Sequence, residues 1–306
     1  MQRRLSNYLT ITLKGLAMGA ADAVPGVSGG TIAFISGIYE ELIETISNVN
    51  GSLFKTLFNK GFKSFWIQLN GSFIVALLIG IIASYVSFMR IAKYLLEYHP
   101  VLIWSFFFGL IIASIYFVGK QITKWNISTI ITLIIGSAIA YYISALPIIS
   151  ASTSTSFLFF AGAIAICAMI LPGISGSFIL IILGAYKTLS DAIHDFDIKK
   201  LLIFITGAVF GLLSFSHILK WLFKHYHNIT LALLTGFIFG SLNKVWPWKE
   251  TLSWHTNSKG IKTPLLQESV SPFAFSGEHQ IGFAVTLMVL GFLTIFILEK
   301  LGSKKQ

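Results

Sequence analysis

The sequence predicts an all-α polytopic membrane protein of two inverted structural repeats, each a broken or re-entrant helical hairpin followed by three transmembrane helices. Three observations predict it. First, 55% of the 306 residues are hydrophobic and only 11% are charged, too few charges to cover a water-soluble surface. No charge occurs between Lys124 and Lys187, and apolar runs of roughly 18 or more residues read as transmembrane helices. Second, PGVSGGTIAFISGIY at Pro25–Tyr39 recurs as PGISGSFILIILGAY at Pro172–Tyr186, with eight of fifteen positions identical. Third, Lys and Arg gather in alternate connecting segments, as the positive-inside rule requires.

The elements follow in order. Repeat 1 (1–150) holds a motif hairpin at about Thr10–Ile46 and spans at about Gly71–Met89, Val101–Gly119 and Ile127–Ala145. Repeat 2 (151–306) holds a motif hairpin at about Phe157–Ile193 and spans at about Leu201–Leu219, Ile229–Val245 and Ile281–Leu298. Trp66, Tyr98, Trp125, Trp221 and Trp246 bound several spans at interfacial depth. Between the first hairpin and first span, GSLFKTLFNKGFKSFWIQLN (51–70) spaces aromatics with lysines and reads as an interfacial amphipathic helix. The polar SASTSTS at 150–156 links the halves. Gly80 to Gly109 aligns without gaps on Gly211 to Gly240, and Gly136 and Gly291 sit alike in the last spans, so the duplication extends beyond the motif.

Whether a motif region is a re-entrant pair of half-helices or two full spans, it enters and leaves on one side. Each half then crosses an odd number of times, and the second lies upside down relative to the first, as in many transporters. With the N-terminus inside, the inner segments carry Arg3, Arg4, Lys14, then Lys55, Lys60, Lys63, then Lys120, Lys124, then Lys220, Lys224, and Lys300, Lys304, Lys305. Both termini are thus expected to be cytoplasmic. Arg90 and Lys93 fall outside against the trend. The net charge of +10 is read as inward-facing loops beside anionic lipid, with no nucleic-acid partner. A single cysteine, Cys167, allows no intrachain disulfide, no His/Asp/Glu grouping has metal-ligand spacing, and no cofactor is expected.

The motif has a physical reading. Pro25 lacks an N–H and disfavours helix at Val24; Gly26, Gly29 and Gly30 permit a sharp break; Ser28 or Thr31 can cap the following helix. Backbone N–H groups freed at a break inside a membrane must be satisfied by protein, a watery cavity or a ligand. A helix start with small residues is an anion site. Two such starts, Ser28–Thr31 and Ser175–Ser177, would converge near mid-membrane in an inverted repeat. The alternative is that the small residues serve only close helix packing. Asp22, three residues before Pro25, is an intramembrane carboxylate and a candidate for ion or proton coupling or headgroup contact. Lys14, Glu40, Arg90 and Lys93 are further candidates for headgroup contact, each with a bland alternative as a snorkelling or solvated charge.

AADAVPGVSGGT, followed in mid-chain by LPGISGS, resembles the bacterial undecaprenyl phosphate (polyprenyl phosphate) translocase family, over essentially the whole chain. The resemblance implies a flippase that returns undecaprenyl phosphate across the bacterial cytoplasmic membrane after cell-wall polymer assembly. It implies substrate contacts at Pro25, Gly26, Ser28, Gly29, Gly30 and Thr31, and at Pro172, Gly173, Ser175, Gly176 and Ser177. The second copy departs at Ser177 and Phe178, which stand where the first has Gly30 and Thr31. The expected partners are undecaprenyl phosphate and bilayer lipids, with a homodimer as the candidate assembly. Membrane undecaprenyl pyrophosphate phosphatases carry a related PGxSRSxxT-like motif. This chain has Gly29 and Gly30 at its Arg-Ser positions, which removes the charge clamp that phosphoryl transfer needs. A small-anion channel or exporter remains the third reading.

Overall fold

The computed structural model describes residues 4–24, 27–146, 154–256 and 262–303. The N-terminal part is α1 (Leu5–Asp22), α2 (Gly29–Ile35), α3 (Tyr39–Ser47), α4 (Gly51–Leu69), α5 (Gly71–Tyr98), α6 (Pro100–Lys120) and α7 (Ile127–Ala145). The C-terminal part is α8 (Thr155–Ile170), α9 (Gly176–Ile182), α10 (Ala185–His194), α11 (Ile198–Gly240), a 3₁₀ turn (Ser241–Val245), strands β1 (Lys249–Thr256) and β2 (Lys262–Ser269), and α12 (Ile281–Ser303). The α5, α6 and α7 helices and the continuous segment Ile198–Val245 are long and apolar enough to cross a membrane. The chain is an all-α polytopic membrane protein, with one two-stranded antiparallel hairpin among its described residues.

Both motif regions fold alike and differ from a simple two-helix hairpin. Each is a longer helix, a break, a seven-residue helix and a short amphipathic helix. A glycine with positive φ turns the chain before the last of these, Gly37 at 72° and Gly184 at 69°; a side chain is costly in that conformation. The α9–α10 pair bends by 107°. The segment expected to lie at the interface is α4, capped by the Asn50 side chain, which accepts from Ser52 N at 3.0 Å and Leu53 N at 3.2 Å. It is broken at Gly61 (φ 76°) and leaves Phe54, Phe58 and Phe62 exposed.

Two segments need comment. The spans expected at 201–219 and 229–245 meet at a kink that lies between them. The chain stays helical through both and breaks at Tyr226 alone (φ −135°, ψ 47°). His99, between α5 and α6, has nearly the same conformation (φ −135°, ψ 50°). The matching break therefore falls ten residues before Gly109 but fourteen before Gly240, one helical turn apart, which an ungapped alignment cannot show. The 246–280 segment is the second case. Lying between two spans, it forms the β1–β2 hairpin, pinned by Trp246 Nε1 donating to Val270 O (2.8 Å) and Trp248 Nε1 to His279 O (2.9 Å).

Small residues set the packing, since lipid offers helices no hydrophobic reason to associate. In the first half α1 lies against α5, where a Cβ on Gly80 would fall 2.0 Å from Thr12 O. In the second, α8 lies against α11, where a Cβ on Gly207 would fall 2.0 Å from Phe159 O. The later helices pair across the halves. A Cβ on Gly109 of α6 would fall 1.8 Å from Met288 O of α12, and one on Gly291 of α12 would fall 2.0 Å from Phe106 O of α6. Their aligned counterparts do the same elsewhere: a Cβ on Gly240 of α11 would fall 2.2 Å from Ser137 O of α7, and one on Gly136 of α7 would fall 2.6 Å from Leu233 O of α11. These four close crossings bring the two breaks together.

Candidate functional site at the meeting of two helix breaks

The first break begins at Asp22, the last residue of α1. Its Oδ1 accepts the N–H of Gly29, the first residue of α2, at 2.7 Å. A Cβ on Gly29 would fall 2.3 Å from Asp22 Oδ2, so a larger residue there would displace the carboxylate. Ser28 is extended (φ −119°, ψ 128°) and caps α2, its Oγ accepting from Gly30 N at 3.1 Å. Thr31 N donates to Ser28 O at 2.9 Å. Of the three ways to satisfy N–H groups freed at a break, the first turn uses protein, with a carboxylate in the anion's place. Pro25 and Gly26 lie outside the described residues.

The first turn is joined to the second. The Ser28 hydroxyl can donate to Met169 O (3.2 Å) or Leu171 O (3.3 Å) at the end of α8. Gly173 N donates to Thr31 Oγ1 at 2.9 Å. Gly30 sits against α8, where a Cβ would fall 2.5 Å from Ile170 O. Ser28 and Thr31 are buried. Polar groups 141 to 143 residues apart thus satisfy one another inside an apolar protein, where each unmade bond would cost about 1–3 kcal/mol. Thr31, offered as a cap, serves instead as this cross-link.

The second turn is built differently. Pro172 is buried, and Gly173 has φ 85°, with its Cα face against Phe237 O and Ile238 of α11. Ser175 has cap-like backbone angles, yet its Oγ makes no cap bond; it lies 2.9 Å from Ser177 Oγ. Gly176 packs on Ala165 O of α8, while Ser177 is exposed. The second turn therefore presents two hydroxyls, whereas the first is closed by Asp22.

The remaining candidates lie elsewhere. Lys14 Nζ donates to Ser36 O, tying α1 to the end of α2. Glu40 pairs with His227 Nε2 at 3.1 Å, and Lys220 reaches Glu44 at 3.4 Å, so these charges bind α3 to α11 beside the buried Phe34–Tyr39–Phe223 cluster. His227 itself remains about half exposed, at 48%. Arg90 and Lys93 are exposed on α5, a different helix from those forming the turns. Sequence reasoning missed Lys244, whose Nζ lies 3.9 Å from the ring centroid of Phe178 in α9, and Lys249, whose Nζ lies 4.1 Å from that of Trp104. The available signal was KVWPWK, a lysine on each side of Trp-Pro-Trp.

Residues 18–263 match the model of a family described as undecaprenyl phosphate translocase-like. A polyprenyl-phosphate transporter of Vibrio cholerae serotype O1 is 48% identical, over 99% of this chain and 100% of its own length. A polyprenyl-phosphate transporter of Staphylococcus aureus is 33% identical, over 92% of this chain and 95% of its own. No solved structure matches significantly. The matched region contains both breaks and their cross-links, and the chain belongs to the undecaprenyl phosphate translocase-like family.

Proposed function

We propose that this protein is a polyprenyl phosphate transporter that carries undecaprenyl phosphate between the leaflets of the bacterial cytoplasmic membrane, passing the phosphate between the two Pro-Gly-x-Ser-Gly turns while the prenyl tail stays in lipid. The observation that carries the reading is the direct meeting of the two turns, through Thr31 Oγ1 with Gly173 N and Ser28 Oγ with the end of α8. A phosphate needs replacements for its water on the way through hydrocarbon. The hydroxyls of Ser28, Thr31, Ser175 and Ser177, with the N–H groups they now engage, are such replacements. The exchanged glycine crossings support two repeats, 1–150 and 151–306, related by inversion, and alternating access by rocking of one against the other.

Asp22 holds the N–H that an entering phosphate oxygen would take. Protonating Asp22 weakens its hold and removes a repelling charge, which couples phosphate entry to a proton. By the positive-inside rule, the lysine-rich segments support cytoplasmic termini. No chemical step is assigned: Gly29 and Gly30 stand where a phosphatase-like motif would carry its Arg and Ser.

The test is transfer of undecaprenyl phosphate across proteoliposome bilayers, with Ser175→Ala/Ser177→Ala beside the wild type. The wild type equilibrates the lipid between leaflets and the variant slows at least tenfold. Absence of lipid transfer together with flux of small anions would place the protein among channels.

A further inference from the structure

Beside the second turn lies a pair of cations that the transport reading does not use. The helix on which Gly173 rests, α11, runs into the 3₁₀ turn that carries Lys244 back over Phe178. Phe178 directly follows Ser177 and lies in the first turn of α9. Lys249 opens β1, stacks on Trp104 of α6, and donates from Nζ to the backbone O of Lys244. Both side chains are half-buried. Their positions are fixed by the Trp246 and Trp248 hydrogen bonds and by the packing of Trp246 on Phe108 and Trp248, with centroids 5.3 and 5.5 Å apart.

Neither ammonium belongs to any ion pair among the described residues. The adjacent Glu250 accepts from Ser276 N at 2.7 Å instead. Partly burying two like charges without an anion is costly, so half-buried ammonium groups that lack a carboxylate are candidates for anion contact. Burial, then the nearby charge of Lys244, pushes Lys249 down to about 7, so an arriving anion would restore its proton.

We propose that Lys244 and Lys249, with the hydroxyls of Ser175 and Ser177, form a receiving site for a phosphomonoester on the loop side of the second turn. The assignment of that group to a polyprenyl phosphate rests on the transport reading above. Two ammonium groups match the charge of a phosphomonoester near pH 7, about −1.5 to −2. Lysine binds phosphate as a point charge with three donors. The Trp104, Phe108 and Trp246 rings give the site an amphipathic edge where a headgroup can sit in water while its tail remains in lipid. With the first turn closed by Asp22, the lysine pair and two hydroxyls bonded only to each other make the second turn the side that accepts the headgroup.

The test uses the full-length protein in lipid nanodiscs, with undecaprenyl phosphate, undecaprenol and inorganic phosphate as probes. Lys244→Met and Lys249→Met should each weaken undecaprenyl phosphate binding at least tenfold and leave undecaprenol binding unchanged. The double Lys→Arg variant should recover most of the loss, and thermal melts should show every variant folded. If both Met variants bind the lipid like the wild type while Ser175→Ala/Ser177→Ala loses it, the lysine site is wrong and the transport reading stands. If only inorganic phosphate binds, and the Met variants lose it, the cation site is upheld and its lipid assignment is overturned. If the wild type binds neither phosphate probe, both fall.

Discussion

Replacing Thr31 by Val removes one oxygen and little volume, at a residue with 0% exposure. That oxygen accepts the N–H of Gly173 across the two turns at 2.9 Å. In Thr31→Val the N–H stays buried and loses its partner. The cost is about 1–3 kcal/mol, roughly a 5- to 150-fold shift in an equilibrium. The shift has a direction. The second copy has Phe178 where the first has Thr31, so an exchange of roles between the halves cannot rebuild this bond. The bond therefore belongs to one end state of the proposed rocking, and its loss favours the other. Hydrogen exchange of a peptide covering 171–176, read by mass spectrometry in nanodiscs, should accelerate by that factor in Thr31→Val and stay at the wild-type rate in Thr31→Ser. Unchanged protection in Thr31→Val would refute the role given to this contact.

Further outcomes are expected at other positions. Gly29→Ala places a Cβ against the Asp22 carboxylate, breaking a charge-assisted bond of about 1.5–3 kcal/mol, and should lower Tm. Asp22→Asn keeps an acceptor for Gly29 N and loses the proton site, so transport in proteoliposomes should no longer respond to an imposed pH gradient. Gly109→Ala and Gly291→Ala each force α6 from α12 and should cost about 1–3 kcal/mol by thermal melt. Gly119→Ala, whose nearest atom would be 4.0 Å away, should be neutral. Lys249 titrates near 7 in the folded protein and near 10.5 otherwise, so the unfolded chain holds more protons between those values and stability from this group rises with pH across them. Lys249→Met should therefore stabilise the empty protein by about 1–3 kcal/mol at pH 6, an advantage that shrinks by pH 10.

The sequence made the breaks legible because proline, glycine and serine act locally. A Pro-Gly pair stops a helix and a serine caps the next one, whatever surrounds them. The duplicated glycines were legible as a pattern, but their role was not, since close crossings such as Gly109 on Met288 join residues far apart in the chain. The kink of α11 falls in the gap expected between 219 and 229, but its residue, Tyr226, was not legible because neither Pro nor Gly announces it. Asp22 stood out as a lone charge, yet its partner, Gly29 N, depends on how the break folds back. Lys244 and Lys249 were hidden in a loop where lysines are ordinary. Only the Trp-anchored hairpin and the return of the chain after α11 place them over Trp104 and Phe178.

The central claim is that the joined turns carry a phosphate attached to a prenyl chain. Leaflet-to-leaflet transfer of labelled undecaprenyl phosphate in proteoliposomes, scored beside undecaprenol and inorganic phosphate, tests it most directly. The expected result is transfer of undecaprenyl phosphate by the wild type at least tenfold faster than by Ser175→Ala/Ser177→Ala, with inorganic phosphate retained. Equal transfer by protein-free vesicles, or passage of inorganic phosphate without the lipid, would contradict it.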